Sequence, residues 1–147
     1  MFHPYSDAVA GKVVSVIGHF PFAPPPLSRA AEVRVLERDT QPGDYPDPAA
    51  EYLLADSDYV FISGSAFVNK TLPRLLQLAR NATTIVLGPT TPLHPGLFDH
   101  GVDVLTGFVS SAPVELFDSL GGLTLAGMYD YGYRVESDGT EPSDDSK

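Results

Sequence analysis

The eight residues Gly64-Ser65-Ala66-Phe67-Val68-Asn69-Lys70-Thr71 have the spacing of a phosphate-binding loop. In such a loop, glycines let the backbone wrap a phosphate while a lysine and a hydroxyl complete the cradle. Asn69 stands where the second glycine belongs; it tolerates positive φ better than other side chains but adds bulk. No clear strand ends in an aspartate suited to holding magnesium, so the run does not read as a nucleotide hydrolase. Two readings stay open. The amides at this helix start, with Lys70, could hold a phosphate or carboxylate; or Asn69 and Thr71 simply turn the chain and cap the helix.

A second candidate centre surrounds His19, which leaves a strand directly into a loop, with Glu37, Asp39, Asp44 and Asp47 in segments able to reach it. Imidazole and carboxylate oxygen together suit a divalent metal ion, and His19 with Glu37 is the candidate pair. The alternative is a polar histidine hydrogen-bonded to a neighbouring loop. Glu37 also lies about twenty residues after Gly18, the position of a ribose-binding acid. However, Gly18-His19 runs into the proline-rich segment Phe20 to Pro26, which cannot make the glycine-rich turn and helix of a dinucleotide fingerprint. Gly64-Ser65-Ala66 exposes a serine after a strand, with no acid and histidine matched to it. Tyr129, Tyr131 and Tyr133 alternate with polar residues and glycine, the pattern of an edge strand or subunit contact.

The elements that must position these residues follow from the hydrophobic period. Short β-branched runs at Lys12–Ile17, Val33–Glu37, Tyr59–Ile62, Thr83–Leu87 and Val102–Leu105 predict five strands, and a sixth is expected near Leu123–Met128. Leu72, Leu75, Leu76 and Ala79 form one stripe of a helix over Leu72–Asn81. Shorter helices are expected at Pro48–Leu54, Gly96–His100 and Pro113–Leu120. This alternation predicts a three-layer, Rossmann-like α/β domain over residues 1–135 with a mainly parallel sheet of five or six strands. The loops beginning at Gly18, Gly64 and Gly88 then emerge together at the carboxyl edge, where open parallel sheets bind ligands. Thr90 and Thr91 lie in the third of these loops.

Composition narrows the field. The 147 residues carry 19 acidic and 9 basic side chains and no cysteine, which removes disulfides, thiolate nucleophiles and cysteine-type zinc sites. Aspartate outnumbers glutamate 13 to 6, a balance suited to hydration in high salt, as in a halophile. The nine bases are scattered, which argues against nucleic acid as a partner, and no apolar stretch approaches a membrane span. A cytoplasmic location follows as the expectation. The segment 136–147 is acidic and lacks apolar residues, so it is expected to be a disordered tail.

Five separated motifs, in order, resemble the putative heavy-metal chelation domain family, a Rossmann-like family of unassigned function. They are Gly18-His19-Phe20-Pro21; Glu37-Arg38 with Gly43-Asp44-Tyr45-Pro46-Asp47-Pro48-Ala49-Ala50-Glu51; Gly64-Ser65-Ala66 with Val68-Asn69-Lys70-Thr71-Leu72; Gly88-Pro89 with Pro92-Leu93; and Gly101-Val102-Asp103. The resemblance spans roughly residues 12–110. It implies an additional N-terminal domain in family members, with the shared loops facing an interdomain crevice. That domain is expected here to be absent or encoded separately. The resemblance puts His19, Glu37, Arg38, Asp44, Tyr45, Asp47, Asn69, Lys70 and Thr90 at the rim. Three functions are expected in order: binding of a small anionic ligand or metal chelate; catalysis on a phosphorylated or tetrapyrrole-like metabolite; or a structural subunit completing a partner's site, either in a homo-oligomer or beside a separate N-terminal domain.

Overall fold

The computed structural model describes residues 2–124 and 127–140. Its strands are β1 (Val13–Ile17), β2 (Glu32–Glu37), β3 (Tyr45–Pro46), β4 (Tyr59–Ser63), β5 (Thr83–Leu87), β6 (Val104–Ser110) and β7 (Gly132–Ser137). Its α-helices are α1 (Pro24–Leu27), α2 (Ala50–Leu53), α3 (Ser65–Val68), α4 (Leu72–Leu78) and α5 (Pro113–Ser119). The strands form one sheet in the order β3-β2-β1-β4-β5-β6-β7, parallel throughout except for β6 against β7. The domain is therefore the expected three-layer α/β fold, with seven strands rather than five or six.

Alternation within the strands builds a core on each face. On β4, Val60 and Ile62 join α2 and α4 in one cluster, whereas Phe61 faces the other, with Phe2 and the α1 residue Leu27. Central strands covered on both sides need near-continuous apolar runs, which is why β1, β4 and β5 were legible as such. The stripe Leu72, Leu75, Leu76 and Ala79 is buried as expected. Ser15 is tolerated inside β1 because its hydroxyl shares a 2.8 Å hydrogen bond with that of Ser57, which in turn donates to the Leu53 carbonyl.

Two expectations need correcting. The region near Leu123–Met128 supplies no sixth strand: Leu123 and Thr124 are irregular, Gly127–Tyr131 is a 3-10 turn, and residues 125–126 lie outside the described set. The strand comes later, as β7. Glu136 and Ser137 belong to it, not to a tail, because Glu136 sits opposite Thr106 and accepts its hydroxyl at 3.2 Å. Residues 141–147 of the expected tail lie outside the described residues.

The chain reverses its winding between β1 and β4, so the loops after those strands diverge and leave a crevice at the carboxyl edge. The opposite edge is tied by two aspartates. Asp58 accepts from the Val13 amide at 2.9 Å, and Asp103 accepts from the Thr84 amide at 2.7 Å. The Val13 hydrogen bond, with Lys12 nearby, holds the Asp58 carboxyl below its usual range. Among the described residues, no helix is long and apolar enough to cross a membrane.

Candidate functional site

Three loops meet where the sequence places them. Gly18 has φ +105°, and a Cβ there would lie 3.0 Å from that of Ser63, so the chain leaving β1 packs directly against the end of β4 at the winding reversal. Gly64 packs as tightly on the third loop: a Cβ would come within 2.7 Å of the Thr91 amide nitrogen and 2.8 Å of the Thr90 hydroxyl. Thr91 is buried and its hydroxyl has no hydrogen-bond partner among the described residues. Gly88 opens that loop at φ +121°.

A small crevice of about 40 Å³ lies at the first two of these loops, and Gly88, Thr90 and Thr91 do not line it. Gly18, Glu37 and Arg38 line one side; Ser63, Ser65, Asn69 and Thr71 line the other, with Asp47 closing it. Two of the acids are already engaged. Glu37 accepts the Arg38 amide at 2.7 Å, and Asp47 lies 3.5 Å from the Arg74 guanidinium, which also donates to Glu51 at 2.6 Å. Arg38 makes no ion pair among the described residues. The Ser65 hydroxyl donates to that of Ser63 at 3.0 Å. Tyr45 is exposed on β3, which extends the rim beside Leu36.

The resemblance to a phosphate loop fails for a specific reason. Residues 65–68 coil into the single turn α3, and the amides of Asn69, Lys70 and Thr71 donate to the carbonyls of Ser65, Phe67 and Ala66 at 3.0, 3.2 and 3.0 Å. Those donors are spent within the loop. Asn69 has φ −87°; the left-handed residue is Lys70, at φ +63°. The Asn69 side-chain oxygen accepts from the Thr71 hydroxyl at 2.6 Å and its amide at 3.2 Å, which is the turning role.

This backbone reversal separates neighbours. Asn69 and Thr71 line the crevice, whereas Lys70 lines a separate groove of about 850 Å³ with Arg80, His100 and the apolar Leu72, Leu76 and Leu97. The six-residue 3-10 turn Pro95–His100 contributes Leu97 and His100 to the lining of that groove. Arg80 and His100 were not legible as partners of Lys70, since only the tertiary fold joins them. His19 also leaves the crevice group. It lines a depression of about 490 Å³ against α1, and its Nδ1 lies 3.5 Å from the Asp44 carboxylate.

Heavy metals favour thiolates, and the chain has none. Among the described residues, no three His, Asp or Glu side chains gather closely enough to hold an ion, and His19 and Glu37 line different depressions. The donor set does not fit a bare heavy-metal ion.

The sequence matches the family DUF364, described as "putative heavy-metal chelation", over residues 2–126. The chain belongs to this family. It is similar to a solved protein of unknown function from that family in Desulfitobacterium hafniense, with 40% identity and a TM-score of 0.84, over 91% of this chain and 55% of that one. A second, from Pyrococcus horikoshii, is 26% identical with a TM-score of 0.76, over 86% of this chain and 54% of that one. The chain thus spans little more than half the length of these relatives. No curated protein matches it.

Proposed function

We propose that the chain supplies one half of a binding site for a small anionic ligand or an anionic metal chelate at its carboxyl edge. The observation that carries this reading is the crevice at the winding reversal, where Arg38 makes no ion pair among the described residues and the Ser63 hydroxyl, which accepts from Ser65, keeps its own proton to donate. Open α/β sheets bind ligands at this point. A crevice of about 40 Å³ cannot enclose a metabolite, which takes roughly 300–1,000 Å³. The greater length of the solved relatives supports a second body closing over it. The family description favours a chelate, whose metal arrives with its own ligands.

The test is a thermal-shift titration of the chain with inorganic phosphate and with cobalt(II) citrate. A ligand at 100 times its dissociation constant stabilises by about 2.7 kcal/mol, a rise of roughly 5–10 °C for this size. The expected result is a shift with at least one probe that is lost in Arg38→Ala. No shift with either probe, or one indifferent to Arg38, would overturn the reading.

A further inference from the structure

The outer edge of the sheet and the helix beside it are unfinished in a way that specifies their occupant. Among the described residues, β7 pairs only with β6, so its other side is an open row of backbone donors and acceptors. No residue of α5 is buried; Val114, Phe117 and Leu120 are 68%, 73% and 56% exposed. The two features adjoin, because the amides of Ser111 and Ala112, just before α5, donate to the Tyr131 carbonyl just before β7.

The ladder fixes which β7 groups are free. Ser111 N–H bonds to the Tyr131 carbonyl, and Ser110 stands opposite Gly132, so Tyr133 and Val135 turn their amides and carbonyls toward β6. Arg134 and Glu136 turn theirs outward. We infer that β7 pairs antiparallel with β7 of a second copy of this chain, about a two-fold axis through Val135. In that register Arg134 and the second copy's Glu136 are opposed, and they exchange both outward hydrogen bonds. The symmetry repeats the same pairing on the other side. The side chains opposed there carry opposite charges, so the strand is its own complement. Val135 meets its own counterpart, Tyr133 lies diagonal to it on the same face, and α5 adds the apolar area that one strand pair lacks. The tyrosine-rich pattern at 129–133 thereby serves a subunit contact.

Sedimentation equilibrium at up to about 1 mM is the first measurement, with a reversible monomer–dimer equilibrium expected. Arg134→Glu or Glu136→Arg alone sets like charges opposite each other twice, and each is expected to weaken dimerisation about tenfold. The double charge swap is expected to restore it, and Phe117→Asp to weaken it again. A second experiment uses the absence of native cysteine. Val135→Cys puts two thiols across a non-hydrogen-bonded pair with Cα atoms about 4.5 Å apart, inside the disulfide range of roughly 4.4–6.8 Å. Oxidation should give a covalent dimer, and Asp39→Cys, at the far side of the sheet, should not. A wild-type chain that stays monomeric would overturn the inference. A dimer indifferent to the charge reversals, or a Val135→Cys chain that cross-links no better than the control, would overturn it equally.

Discussion

The carboxylate of Asp44 lies 3.5 Å from Nδ1 of His19, with 6% of its side chain exposed against 35% for the imidazole. It also accepts the Gln41 amide at 2.9 Å, and the Asp44 amide donates back to the Gln41 carbonyl at 3.0 Å. One carboxylate thus closes a turn and holds an imidazole at the rim. A carboxylate facing Nδ1 favours the tautomer that carries its proton there. Asp44→Asn keeps an oxygen for Gln41 but can present its amino group to Nδ1. The ¹⁵N shifts of His19 are expected to move toward the Nε2–H tautomer in that variant. Asp44→Ala loses the turn contact as well and should cost about 1–3 kcal/mol in urea unfolding.

Arg38 is the cation left for an anion in the crevice, since the loop amides of Asn69, Lys70 and Thr71 are consumed internally. It is exposed and makes no ion pair among the described residues, so Arg38→Ala should change the melting temperature by less than about 2 °C. Phosphate affinity measured by calorimetry should fall about tenfold or more, as expected when a charge-assisted hydrogen bond is removed. Lys70→Ala should leave phosphate affinity at the crevice unchanged, because that side chain lines the neighbouring groove.

What could be read from the sequence was local. The run Thr83–Leu87 is strand β5 to the residue, and Leu72, Leu75 and Leu76 are the buried face of α4, with Ala79 buried at its C-cap, so the helix stops short of the expected Asn81. Both are set by short-range patterns that tertiary context reinforces. The misses needed long-range information. Strand β6 runs on to Ser110 because β7 pairs with it, although Thr106-Gly107-Phe108-Val109-Ser110 shows no continuous apolar run. Pro24-Pro25-Pro26 read as loop yet begins α1, since proline suits a first helical turn and α1 has little more than one. The three glycine loops were legible as one rim, but their chemistry was not. That depends on the turn α3, which spends the amides and sends Lys70 away from Asn69.

Lys70 sits at φ +63°, a conformation that costs a residue with a Cβ about 1–2 kcal/mol. Its amide is satisfied by the Phe67 carbonyl, so a residue suited to positive φ should fit without disturbing the turn. Lys70→Gly is expected to gain up to about 1 kcal/mol, the relief being partly offset by the greater freedom of the unfolded chain. This would appear as a rise of about 2–4 °C in melting temperature. A fall would mean that the lysine side chain stabilises the groove more than its backbone strain costs.

Gly64 has no room for a side chain. A Cβ would fall 2.7 Å from the Thr91 backbone nitrogen, and backbone cannot step aside as a flexible side chain does. Gly64→Ala should therefore push the β4 and β5 loops apart and destabilise by about 1–3 kcal/mol. The same change should weaken ligand binding at the crevice, since Ser65 moves with the loop. Thr91→Val tests the contact from the other side. The Thr91 hydroxyl is buried without a partner among the described residues, so an apolar replacement of similar shape should be neutral or stabilising in thermal unfolding.

Tyr5 titrates unusually high, at about 12, chiefly because burial disfavours the phenolate, with the negative charge of Glu136 acting in the same direction. Its ring packs edge-on against Phe61 at 5.3 Å, which anchors the N-terminal segment over the sheet. A pKa raised above the unfolded value of about 10 means that folding favours the neutral phenol. The resulting stability is complete below pH 10 and is lost as pH rises from 10 toward 12. Tyr5→Phe keeps the ring and removes the titration. Urea unfolding of the two proteins should coincide near pH 8. At alkaline pH the wild type should lose stability more steeply than Tyr5→Phe, and parallel curves up to pH 12 would show that the phenol ionises without cost in the folded chain.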